Sequence, residues 1–372
     1  MEWGEPIRRN YATDEVQYES IARAAPGLPH TDVSAAASQR FVSHWLVGAL
    51  ADVTHLGLHT TYRIVAFACL AAIAAVVVRL ALAFELPLSA GVLALGLVIT
   101  NPYAWRLILI APAMLSDALL VLGVGIALLG LVDERPWLAT VGCVIAVLGR
   151  ETGLAVAAGV CVWLALQHRR FPASLALIVP VVAFGLVKGV GETFAAPDPS
   201  ASGFTVVSPL LRLPGTAREL ADHFGRVVIA APTALAILFA ALVVLARRQR
   251  LQLRATPLAA ALLLAALVFL QPAVFNPDWV QHNETRLAAL AIVPLAVAAA
   301  AAFAKIPAAA SKRVTVIAAV LIAVASLHHR YTLGGAVESP RTFVAVEALA
   351  SLALIVLIVS RSRATSAVHS SA

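Results

Sequence analysis

Long apolar runs separated by short polar breaks dominate the chain from about residue 64 onward. A helix that crosses a bilayer needs roughly 20 mostly apolar residues, and fewer where neighbouring protein shelters it. On that measure the runs predict helices at 64–84, 87–100, 114–131, 137–149, 152–167, 173–190, 226–246, 256–270, 287–304, 314–328 and 343–360. The expected fold is all-α, a polytopic membrane bundle of about eleven spans. Several runs are short for a lone span. Helices that stop inside a bilayer tend to surround a protein-lined or water-filled cavity.

Composition agrees. Of 372 residues, 61% are hydrophobic and 13% charged, and the mean hydropathy is +0.90. Soluble domains carry about 45–50% apolar and about 25% charged residues, so disorder, a coiled coil and a nucleic-acid module are excluded. The formal charge of +7 reads as basic residues anchoring helix ends on one side of the membrane. Arg169–Arg170, Arg247–Arg254, Lys305–Arg313 and Arg361–Arg363 occupy every second connection, which the positive-inside rule assigns to the cytoplasm. Residues 1–62, 191–225, 271–286 and 328–342 then lie on the outer face, and 361–372 form a cytoplasmic tail. Nothing in 1–62 would carry that segment across, so a preceding transmembrane helix is expected to be missing. The three cysteines fall inside apolar runs, against a disulfide framework or a zinc site.

Function belongs to the outer loops, because a rigid scaffold positions them. In the first, Thr13 or Asp14 can cap a helix in which Tyr11, Tyr18, Ile21 and Ala25 share a face, the pattern of a helix lying on a membrane surface. A second interfacial helix is expected from Phe41 to Val53, with Trp45 at interface depth. Asp14 and Glu15 have two readings: first-turn charges complementing the helix dipole, or a carboxylate serving as general base beside a lipid headgroup.

Other charges interrupt apolar sequence. Arg150–Glu151 divides the run from Leu138 to Leu166; it is either a hairpin corner exposed to water or a pair facing a polar cavity between two short helices. Ser116–Asp117, after Pro112, is similar: a carboxylate at the outer start of a span, or only a first-turn charge at the helix N-terminus. The polar stretch 271–286 includes His282, Glu284 and Arg286, a helix cap with interface anchors or the mouth of a cavity, where Arg286 suits a phosphate oxygen. His55 and His59, like His328 and His329, lack a third ligand at metal spacing and read as surface residues. No phosphate-cradling glycine loop, HExxH, GxSxG or CxxC motif occurs.

The layout of Tyr11-Ala12-Thr13-Asp14-Glu15 in a first outer loop, then Gln39-Arg40-Phe41, Tyr62-Arg63, Gly149-Arg150-Glu151-Thr152 and a late Asn283-Glu284-Thr285-Arg286 resembles the bacterial integral-membrane glycosyltransferases of the C-type fold. These include mannosyl- and arabinosyltransferase-like proteins that use polyprenyl-phosphate sugars. The resemblance covers most of the chain as a layout. It implies a location in the bacterial inner membrane with the active face extracytoplasmic. Asp14 would be the general base of an inverting transfer, assisted by Glu15. Arg40, Arg150 and Arg286 would be phosphate contacts, with Glu151, His282 and Glu284 as further donor or acceptor contacts. The donor would be a polyprenyl-phosphate sugar and the acceptor a glycan or lipid. A divalent ion at Asp14–Glu15 fits that chemistry without being demanded by it. Two rivals remain, a transporter or permease, and a noncatalytic protein of envelope assembly. Against the transporter, polar residues gather at one face and no inverted repeat is visible.

Overall fold

The computed structural model describes residues 16–30, 33–196, 228, 230–247, 256–271, 284–306, 309, 311–327 and 340–370. Among them there are helices and no strand; a lone parallel bridge joins Val33 to Ala195. Helix α1 covers 16–24. It is followed by α2 (Ala35–Ser38), α3 (Phe41–Thr54), α4 (Leu58–Ala83) and α5 (Leu88–Ile99). The chain then bends by 59° into a π-helical turn, Pro102–Arg106, that leads to α6 (Leu107–Ile110). The remaining helices are α7 (Leu115–Val132), α8 (Pro136–Gly149), α9 (Gly153–Leu166), α10 (Arg170–Glu192), α11 (Pro232–Arg247), α12 (Pro257–Phe269), α13 (Glu284–Ala289), α14 (Ile292–Ala304), α15 (Lys312–Leu327) and α16 (Pro340–Ser370).

Helix starts follow from local chemistry. Ser34 accepts from the Ala37 amide at 3.2 Å, and Asn101 accepts from the amides of Tyr103 and Ala104 at 3.0 and 2.9 Å, so short polar side chains satisfy free N–H groups. Pro136 and Pro257 each open a helix, where a missing N–H costs nothing.

The expected helices recur in place, but the count of eleven spans does not. Among the described residues four segments are long and apolar enough to cross a membrane: Leu58–Ala83, Pro112–Val132, Arg170–Glu192 and Val344–Ser362. The bent pair Leu88–Ile99 and Pro102–Ile110 would make a fifth. Helices such as α8, α9 and α12, of 13 or 14 residues, reach only about 20 Å at 1.5 Å per residue, against a hydrocarbon core of about 30 Å. The run at 287–304 breaks between α13 and α14. The last helix does not stop at 360 but continues to Ser370.

Burial separates core from rim. Only 17% of the most apolar window of α10 is buried, against 72% for the segment containing α7. Phe171, Leu186, Phe67, Leu349 and Leu352 all face outward. Soluble proteins rarely expose apolar surface on that scale, and a lipid environment is its natural solvent. The centre is built by α7 packed on α8, α4 on α7, and α14 on α5, α11 and α12. The α7–α8 contact is close enough to require glycine. A Cβ on Gly149 would lie 2.6 Å from the Ser116 carbonyl oxygen, so the end of α8 rests directly on the first turn of α7. Gly48 does the same for the N-terminal segment: a side chain there would run into the Ala22 carbonyl, and its absence lets α1 lie against α3.

Candidate functional site

At one end of the bundle the start of α7, the break between α8 and α9, the end of α12 and the start of α13 converge on a buried ionic network. Asp117, in the first turn of α7, is fully buried. Arg150 Nη1 donates to its Oδ1, and Arg286 Nε donates to its Oδ2 at 2.6 Å. Arg286 Nη2 also lies 3.1 Å from the Met114 sulfur. Arg150 occupies the extended residue that ends α8 (φ −151°, ψ 147°), and the glycine before it lets α8 approach α7 closely enough for the pair to form.

Next to it is a second pair. Glu151 accepts from Arg40 Nε at 3.2 Å and from Nη2 at 2.9 Å, the bidentate geometry that makes guanidinium–carboxylate pairs strong. Arg40 Nη1 also donates to the Tyr18 hydroxyl at 3.3 Å. Burial alone would push the Glu151 carboxyl up, but the Arg40 and Arg150 guanidinium groups outweigh it and hold the group at about 2. Burial likewise works against the Arg40 cation, and Glu151 more than compensates, leaving it well above its ordinary value.

Tyr18 links this pair to a histidine. Its ring stacks on His44, with centroids 3.9 Å apart and planes at 11°. His44 Nδ1 is 3.0 Å from the Tyr62 hydroxyl and Nε2 is 3.0 Å from Ser116 Oγ. The Tyr62 hydroxyl donates to the Tyr18 carbonyl at 3.2 Å. With that proton committed, Nδ1 carries the ring hydrogen and Nε2 accepts from Ser116. Burial, and then the Arg40 charge, lower His44 to about 3, so the ring is neutral.

Several sequence expectations meet here. Arg40, Arg150, Glu151 and Arg286, which only the resemblance had grouped, come together. Arg150 and Glu151 pair with carboxylate and guanidinium partners on other elements rather than forming an isolated corner. The arginines expected to contact phosphate are engaged by carboxylates. The N-terminal helix packs on the protein: Tyr18, Ile21 and Ala22 are buried, and Arg40 ties Tyr18 to Glu151. Trp45 donates to the carbonyls of Pro26 and Gly27 at 3.3 and 3.0 Å. Asp14, Glu15 and His282 lie outside the described residues, as does the side chain of Glu284. His55 and His59 are exposed, and among the described residues no three His, Cys, Asp or Glu side chains are placed to hold a metal ion.

Sequence reasoning did not place Asp117 in the site, nor Tyr18, His44, Tyr62, Ser116 and Gln271. For Asp117 a signal existed. A carboxylate in an apolar run needs a cation, and the two arginines at breaks in other apolar runs were the available partners. The aromatic and histidine contacts had no such signal.

Three guanidinium groups and two carboxylates meet here among the described side chains. Arg150 Nε, Thr152 Oγ1 and Gln271 Oε1 are buried without a hydrogen-bond partner among the described residues, while Gln271 Nε2 donates to the Thr152 carbonyl at 2.7 Å. The Arg150 Nε–H and the Thr152 hydroxyl are donors that suit an anionic group, whereas Gln271 Oε1 is an acceptor. Comparison with protein-family models, curated proteins and solved structures gives no match for this chain.

Proposed function

We propose that the protein is a membrane-embedded glycosyltransferase that moves a sugar from a polyprenyl-phosphate donor to a hydroxyl of a glycan or lipid. The observation that carries this reading is the convergence of the N-terminal segment, the 150–151 break and Arg286 at one end of an apolar bundle. Asp14 precedes Tyr18 by four residues, and Tyr18 is bonded to Arg40, which pairs with Glu151. The Arg150 Nε–H, buried without a partner among the described residues, supports a phosphate nearby. In the reaction the acceptor oxygen attacks the anomeric carbon as the bond from that carbon to the phosphate oxygen breaks. The acceptor's proton passes to the Asp14 carboxylate, the polyprenyl phosphate leaves as its anion, and the configuration inverts. Charge-assisted hydrogen bonds stabilise the leaving phosphate, and positioning supplies much of the rest.

The test is transfer of a labelled sugar from a polyprenyl-phosphate donor, comparing wild type with Asp14→Asn in the same membranes. Loss of a general base lowers turnover by about 10²–10⁴-fold, with the size-exclusion profile unchanged. Equal turnover in the two proteins would refute the assignment. A noncatalytic assembly protein shows no transfer in either.

A further inference from the structure

The unpartnered polar atoms around the break between α8 and α9 do not all require the same kind of partner. Arg150, Thr152 and Gln271 are 7%, 4% and 4% exposed, and Arg150 Nε, Thr152 Oγ1 and Gln271 Oε1 are buried with no hydrogen bond among the described residues. Thr152 stands at the start of α9, where a hydroxyl ordinarily caps the free amides. Ser34, Asn101 and Thr256 do so for the helices they precede; the Thr152 side chain makes no such bond. The amides of Gly153, Leu154 and Ala155 turn instead to the carbonyls of Arg150, Glu151 and Thr152, so the hydroxyl is left over.

The orientation of Gln271 is fixed from the other side. Its Nε2 donates to the Thr152 carbonyl at 2.7 Å, a contact that only the amide nitrogen can make, so Oε1 is the free atom and an acceptor. Arg150 is committed to Asp117 through Nη1, and its Nε–H remains as a donor. An ionised phosphate oxygen accepts from Arg150 but has no proton for Gln271. A hydroxyl has one: it donates to Gln271 Oε1 and accepts from the Thr152 hydroxyl at once. Leaving a buried acceptor without a donor is costly, so a site of this kind favours the group that fills it over an analogue that lacks it.

We propose that Arg150, Thr152 and Gln271 form a subsite for a phosphate ester with a hydroxyl on the carbon next to the ester carbon. The phosphate accepts from Arg150 Nε–H, and the hydroxyl lies between Thr152 and Gln271. A glycosyl phosphate has this arrangement, with the hydroxyl on the ring carbon next to the anomeric one. The assignment rests on the reading of the donor as a polyprenyl-phosphate sugar and adds which of its hydroxyls is recognised. The glycerol headgroup of phosphatidylglycerol has the same order of atoms and is the competing source.

Binding to the detergent-solubilised full chain, followed as the rise in unfolding temperature with added ligand, tests the subsite. The probes are polyprenyl phosphate carrying mannose or arabinose, the analogues lacking that one hydroxyl, bare polyprenyl phosphate and phosphatidylglycerol. Wild type binds a sugar-bearing probe about fivefold more tightly than its deoxy analogue, the factor that one ordinary hydrogen bond supplies. Thr152→Val removes that preference and Thr152→Ser keeps it. Without ligand, Thr152→Val is at least as stable as wild type, because the hydroxyl it loses has no partner in the free protein. A Thr152→Val protein that unfolds several degrees lower, or does not fold, means a hydroxyl already engaged and overturns the proposal. So does a wild type that binds the sugar probes no better than their deoxy analogues. Binding of phosphatidylglycerol that Thr152→Val abolishes, in place of the sugar preference, refutes the sugar as occupant. Transfer activity separates the two readings. Transfer that Asp14→Asn abolishes, without any preference for the hydroxyl, refutes the subsite alone; hydroxyl-dependent binding without transfer refutes the transferase alone.

Discussion

Asp117→Asn removes the one carboxylate that two buried arginines share. In the wild type, Arg150 and Arg286 are 7% and 6% exposed, and Asp117 is fully buried. At a charge separation of about 4 Å and an effective dielectric of about 20, each pairing is worth about 4 kcal/mol of gross attraction. Removing the carboxylate's own burial cost, several kcal/mol, offsets part of the loss. What remains is two neighbouring guanidinium groups without the carboxylate they shared, and breaking a single buried pair from one side costs about 3–5 kcal/mol. The expected destabilisation is therefore at least about 3 kcal/mol, measured by denaturant unfolding in detergent with tryptophan fluorescence as the probe. The same reasoning makes a second demand. A triple variant, Asp117→Leu with Arg150→Met and Arg286→Met, removes every charge of the cluster and is more stable than Asp117→Asn. An Asp117→Asn protein within about 0.5 kcal/mol of wild type, the range of ordinary surface substitutions, refutes the buried network. A triple variant no better than the single one refutes the electrostatic account of its cost.

Two further outcomes follow from the same geometry. Gly149→Ala forces a methyl group against the Ser116 carbonyl and Leu120 amide; overpacking of this kind costs about 1–3 kcal/mol, and thermal unfolding shows it, whereas Gly185→Ala, where a Cβ meets nothing within 4 Å, is neutral or mildly stabilising. His44 is held neutral in the fold, down to about 3 against an ordinary 6.5. The unfolded chain therefore binds a proton that the folded one excludes, and stability falls as pH drops from 6.5 toward 3, by about 2 kcal/mol at a point 1.5 pH units below the ordinary value. His44→Gln removes that slope in the window above pH 4.5, where Glu151 has not yet begun to contribute a loss of the same sign; a slope unchanged by the substitution counts against the neutral ring.

How much was legible beforehand differs by residue. Apolar runs located the helices to within a few residues, as at 173–190 against Arg170–Glu192, because a helix in an apolar environment satisfies its backbone internally and needs only a run of apolar side chains. The breaks at Arg150–Glu151 and before Arg286 were also visible, since charges in apolar sequence stand out. The choice of partner was not. Asp117 looked like a first-turn charge, and nothing local to residue 117 says that guanidinium groups 33 and 169 residues away will close on it.

Sequence by itself determined helical apolar segments, the polar breaks between them and an N-terminal amphipathic helix. Those properties depend on neighbours within a turn or two, so linear order carries them. Tertiary structure decided which apolar runs are long enough to cross and which are short helices packed inside. It decided that Tyr18 stacks on His44, that Arg40 turns to Glu151, and that Asp117 takes both Arg150 and Arg286. These depend on how closely α7 and α8 approach through glycine, how α1 lies over Gly48 and where α5 bends. Each is set by contacts between segments far apart in the chain, and no periodicity in the sequence encodes them.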